Sequence, residues 1–169
     1  LNGLESVGDG TWTVEDGAIV GRQTEEDAVT GLMWIKEPCE NFAIKLKYKI
    51  DKGNSGFFFR SQQIPNDNTG IKGIQVEIDR QPDCGGLYES GGRGWISKPS
   101  KQFSKYDQWN EMMVYTCGGN VMVWINNELV VDCNTINPLY PERLDQCAFL
   151  NNFAFQLHKR QDVEVRFKD

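Results

Sequence analysis

The sequence predicts an all-β protein built as two antiparallel sheets packed face to face. Almost every periodic segment has a period of two, turn-forming clusters separate the segments at short intervals, and no convincing amphipathic helix interrupts them. At 169 residues the chain suits one domain, residues 1–169, able to bury roughly 70% of its unfolded surface around one core, and it can equally be one part of a longer protein.

The elements follow in order. TWTV (11–14) and AIVG (18–21) are two short alternating runs joined by EDG, a turn signal. GLMWI (31–35) comes next, then FAIKLKYKI (42–50), where Phe42, Ile44, Leu46, Tyr48 and Ile50 share one parity. Ala43, Lys45, Lys47 and Lys49 share the other, which gives a sheet with a solvated outer face. DKGN leads into SGFFFRS (55–61), and GIQVEID (73–79) follows. WNEMMVYTC (109–117), NVMVWIN (120–126) and ELVVDC (128–133) form a meander with turns at CGGN and INNE, and NFAFQLH (152–158) and DVEVRFK (162–168) close the chain. Only LYPERLDQC (139–147) has the composition of a short helix. Two longer pieces, 61–72 and 80–108, read as irregular, and loops of that length in a compact domain usually bind something or move.

Composition removes several function classes. Acidic residues outnumber basic ones, 24 to 18, for a net charge of -6, and the basic residues are scattered, so the field that nucleic-acid binding needs is missing. No apolar run approaches the roughly 20 residues that span a bilayer, so membrane insertion is not expected. The opening LNGLESVGDG lacks the basic-then-apolar pattern of an export signal, so an extracellular or periplasmic location implies a signal removed or lying outside this stretch. Five cysteines without CxxC spacing and a lone His158 argue against zinc. Cys117 and Cys133 leave the same end of the meander with a strand between them, nearly 10 Å apart, beyond disulfide reach. Cys39 and Cys147 remain an open pairing.

GIQVEID is the segment with chemistry in it. Ile74, Val76 and Ile78 alternate with Gln75, Glu77 and Asp79, an amide and two carboxylates on one face with no cation between them. Charged rows are usually solvated sheet faces. Here, however, Tyr88, Glu89, Arg93, Trp95 and Lys98 follow in the Gly-rich LYESGGRGWISKP, which can shape a rim. Planar hydrogen-bonding side chains beside an aromatic face are what a sugar requires, so carbohydrate is the expected partner. In NSGFFFR (54–60), Arg60 falls on the opposite parity from Phe59, which predicts it beside the acidic row, either at the ligand or paired with Glu77 or Asp79. His158 shares its parity with Gln156 at the end of FAFQLH. The E-x-D-x-x-E pattern of sandwich-fold glucanases begins at Glu77 and Asp79 but has Pro82 where the second Glu belongs, which weakens a two-carboxylate displacement.

Taken together, WTVEDGAIVGR, NSGFFFRS, KGIQVEID, GGLYESGGRG, WNEMMVY and FAFQLH resemble the 3-keto-disaccharide hydrolase domains, in the same order and over nearly the whole chain. The resemblance implies a concanavalin A-like jelly roll and a hydrolase acting on 3-keto-glycosides. Its route is proton abstraction at C2, elimination at C1 and hydration. It implies Glu77 and Asp79 as base and acid in either order, with His158 as a further acid or base. Arg60 and Lys98 would stabilise the enolate, and Gln75, Tyr88, Glu89 and Arg93 would contact the sugar. That chemistry requires no cofactor and leaves room for a divalent ion such as calcium beside the carboxylates. A non-catalytic, lectin-like sugar-binding module is the alternative use of the same face.

Overall fold

A computed structural model describes residues 3–35, 39–64, 70–136 and 152–169. Its strands are β1 (Leu4–Val7), β2 (Thr11–Glu15), β3 (Ala18–Gln23), β4 (Gly31–Ile35), β5 (Phe42–Lys52), β6 (Asn54–Gln63), β7 (Ile71–Asp79), β8 (Leu87–Ser90), β9 (Gly94–Ser97), β10 (Asn110–Cys117), β11 (Asn120–Ile125), β12 (Glu128–Asn134), β13 (Asn152–Leu157) and β14 (Val163–Lys168). They form two seven-stranded antiparallel sheets: β1-β4-β13-β6-β7-β8-β9, which carries the site, and β12-β11-β10-β5-β14-β3-β2 behind it. The all-β sandwich is therefore as expected.

Between the sheets lies one core. Ile74, Val76 and Ile78 of β7 meet Leu46, Tyr48 and Ile50 of β5 and Met112 and Val114 of β10, all nearly or fully buried. Phe155 of β13 and Phe167 of β14 stack across the two sheets with ring centroids 3.9 Å apart. The solvated parity of β5 is as read, with Lys45, Lys47 and Lys49 salt-bridged to Glu111, Asp169 and Asp51 on the outer face.

The structure departs from the sequence reading in three short strands. Leu4–Val7 pairs with β4, and at four residues it is too short to show a period. The Gly-rich stretch, whose composition predicts a loop, contains the hairpin β8–β9, with Tyr88 opposite Trp95. Gly91 and Gly94, both at positive φ (69° and 76°), turn the chain there, and those glycines hide the strand pattern. The irregular piece 61–72 is also shorter than read, because β6 runs to Gln63 and β7 begins at Ile71. The expected helix at 139–147, with Cys147, lies outside the described residues. Cys39, Cys84, Cys117 and Cys133 are free thiols, and β11 separates Cys117 from Cys133 as the meander predicts. Among the described residues no helix is long and apolar enough to cross a membrane.

Candidate functional site

The alternation of β7 sends its apolar residues into the core and Gln75, Glu77 and Asp79 to the other side, where they line a cleft of about 340 Å³. Burying an unpaired carboxylate in apolar core would be costly, so this register is strongly determined. Cross-strand rows build the rest of the face. Ala154, Phe58, Gln75, Tyr88 and Trp95 follow one another from β13 to β9. Gln156, Gly56 and Glu77 make the next row, and Asn54 stands opposite Asp79 in the third. The His158 N–H donates to the Asn54 carbonyl at 3.2 Å, so His158 and Lys159 close that end of the cleft. Leu32, Trp34, Phe58, Ile71 and Ala154 form a separate buried cluster, which confines the polar cleft to one part of the face.

Glu77 is held from both sides. Gln75 Nε2 donates to its Oε2 at 2.6 Å, and Asn54 Nδ2 donates to its Oε1. Glu77 is only 7% exposed, and this burial, reinforced by the charge of Asp79, pushes its carboxyl up to about 7 against the pull of the two amide donors. Burial also raises Asp79 to about 6, partly offset by the Gln81 N–H donating to Oδ1 at 3.0 Å. Two further acceptors, Asn54 Oδ1 and Gln156 Oε1, are buried without a hydrogen-bond partner among the described residues. Each such atom costs about 1–3 kcal/mol, a cost that recurs at functional sites. No three of His, Cys, Asp and Glu among the described residues come together in a way that could hold a metal ion.

Of the residues singled out from the sequence, the cleft brings together Gln75, Glu77, Asp79, Tyr88, Trp95, Gln156 and His158. Arg60 is a correction. A β-bulge between Phe59 and Gln62 breaks the parity, Arg60 takes a positive φ of 48°, and its Nη2 donates to the Glu40 carbonyl at 3.3 Å and to that of Gly118. Gly56 is the residue opposite Glu77, so Arg60 lies four residues, about 13 Å, further along β6 and faces away from the acidic row. Glu89 is also turned away, because it pairs with Ile74 and shares the inward parity. It accepts from the Arg93 backbone N–H at 3.1 Å and from Arg93 Nε, while Arg93 Nη1 donates to the Thr135 carbonyl at 2.7 Å. These two side chains fasten the β8–β9 hairpin and do not line the cleft. Lys98 sits outside the lining, bonded to both oxygens of Asp83 at 2.9 and 3.0 Å, with its ammonium 4.4 Å from the Trp95 ring centroid.

The sequence reading missed Asn54, Asp83 and Lys159, which also line the cleft. Asn54 reads as part of the DKGN turn, and only its pairing opposite Asp79 reveals its direction. The proximity of Asp83 and Lys159 depends on loop geometry, for which no periodic signal exists.

A family model described as the 3-keto-alpha-glucoside-1,2-lyase-like domain matches residues 1–169. A search of curated proteins finds no match to the sequence. Among solved structures, the chain is similar to the carbohydrate binding module CBM66 of Bacillus subtilis, with a TM-score of 0.70 at 17% identity over 99% of this chain and 92% of that one. A putative glycosyl hydrolase from Parabacteroides distasonis gives 0.70 at 24% identity over 99% and 86%. A Bacillus subtilis protein of unknown function with a galectin-like fold gives 0.74 at 14% over 98% and 86%. At these identities the likeness is one of fold.

Proposed function

The chain belongs to the 3-keto-alpha-glucoside-1,2-lyase-like domain family, and from that premise we propose that it cleaves 3-keto-glycosides by elimination across C1 and C2 followed by addition of water. The observation that carries this reading is the pair Glu77 and Asp79, buried together in one cleft and poised at about 7 and about 6. Between those values the pair holds one proton. That is the state a paired base and acid need near neutrality.

The route uses the acidity that a C3 carbonyl confers on the C2 hydrogen. Asp79, which lines the cleft, takes the C2 proton, and the C–H electrons move into the C2–C3 bond as the carbonyl becomes an enolate. The enolate then re-forms the carbonyl, a C1–C2 double bond appears, and the C1–O bond breaks. Glu77, the higher of the two, gives its proton to the departing oxygen. Water adds across the double bond, its hydroxyl to C1 and its proton to C2, which yields the free 3-keto sugar. Gln75 and Asn54 fix Glu77 in place and stabilise the anion it becomes. The unmatched Asn54 Oδ1 and Gln156 Oε1 are acceptors for substrate hydroxyls. His158, exposed at the cleft end, is a second proton carrier. No cofactor enters this scheme.

A substrate deuterated at C2 tests it. Elimination predicts a primary kinetic isotope effect on kcat/KM, whereas displacement at C1 by a carboxylate or water would leave the C2–H bond intact and show none.

A further inference from the structure

Resting on the reading above, we propose that the cleft is directional, with the leaving group bound as a second sugar ring over Tyr88 and Trp95 and the C3 oxygen turned toward His158 and Lys159. In the sugar, C1 and C3 flank C2. A base that reaches C2 therefore has the departing oxygen on one side and the developing enolate oxygen on the other. Both carboxyls stand on β7, midway across the cleft, so the two sides are the same whichever of them is the base. Two strand spacings to one side, about 10 Å away, lies β9, and two to the other lies β13.

The two sides differ in chemistry. On the β8–β9 side, Tyr88 and Trp95 meet edge to face with centroids 5.4 Å apart, and they remain 36% and 37% exposed. Lys98 covers part of Trp95, but both oxygens of Asp83 compensate its charge. This end offers ring surface to the C–H face of a sugar and little net positive charge. On the other side, Lys159 lines the cleft with no ion pair among the described residues, beside the exposed His158. Positive charge is what an enolate oxygen needs, so C3 points there and the leaving group lies over the aromatic pair.

The test compares a 3-keto-disaccharide with the methyl 3-keto-glucoside, whose leaving group is too small to reach Trp95, using Trp95→Ala, Tyr88→Ala and Lys159→Met. Both aromatic variants should lower kcat/KM for the disaccharide about tenfold more than for the methyl glycoside, the scale of one aromatic contact. Lys159→Met should lower both alike. Circular dichroism and melting confirm that each variant is folded. The proposal is overturned if the aromatic variants affect the two substrates equally or not at all, or if Lys159→Met is selective for the disaccharide. Wild-type protein that turns over neither substrate would remove the elimination reading as well, whereas turnover with the wrong selectivity removes only the direction assigned here.

Discussion

A Cβ built at Gly56 would stand 2.6 Å from both Cγ and Cδ of Gln75 and 2.8 Å from its Nε2, and these three atoms are its nearest neighbours. The φ of Gly56 lies outside the left-handed region, so the backbone tolerates alanine. What glycine provides here is room for the Gln75 side chain, whose amide then holds Oε2 of Glu77 at 2.6 Å. Gly56→Ala should displace that amide, raise Glu77 above its present value and move the corresponding limb of the kcat/KM pH profile upward. On a Gln75→Ala background the same substitution should change nothing further, because the group it displaces is already gone. Additive effects in the double variant would show that Gly56 acts by another route.

The raised carboxyls also make stability depend on pH. A group whose folded value lies above its ordinary one stabilises the fold in its protonated form. That contribution is complete below the ordinary values of 4.5 and 3.8, and it is lost as pH rises through about 6 to 7. The protein should therefore weaken between about pH 4 and 7 and change little above that. Glu77→Gln removes the charge, and the Asn54 amide can turn to present its unmatched Oδ1 to the new NH2 group. The variant should be more stable than wild type at pH 8 by on the order of 2 kcal/mol, with little difference at pH 4. Urea unfolding at the two pH values measures this, and a variant less stable at pH 8 would contradict it.

Glu89 and Arg93 carry the opposite expectation. Glu89 is 3% exposed and faces inward, so Arg93→Met takes a guanidinium away from a buried carboxylate. The substitution should cost about 3 kcal/mol of stability, seen as a lower melting temperature. Well below that temperature, turnover should persist, because neither side chain reaches the cleft. Loss of turnover with an unchanged melting curve would place Arg93 in the chemistry after all.

These contrasts show what one strand at a time can reveal. The alternation of Ile74 to Asp79 fixes which side chains enter the core, because period two and the cost of burying charge leave a single register. The direction of Arg60 depends on a bulge, a two-against-one mismatch with β7 that no run of residues on β6 displays. Glu89 sits next to Tyr88 in a segment whose glycines conceal the strand, and its inward parity follows from pairing with Ile74. Asn54 and Lys159 join the site only through contacts between strands distant in sequence. The rows of the cleft were thus legible along β7 and partly along β13, and illegible where pairing or loop geometry decides.

Turnover of a 3-keto-disaccharide beside its unoxidised parent, with wild-type protein and the Asp79→Asn and Glu77→Gln variants, decides whether the cleft eliminates across C1 and C2. Wild-type protein should cleave the keto sugar alone, and each variant should do so at least about a hundredfold more slowly while binding persists, the usual contribution of a general acid or base. Equal cleavage of both sugars would contradict elimination through the C3 carbonyl, and binding without cleavage of either would make this face a sugar-binding surface and not a catalytic one.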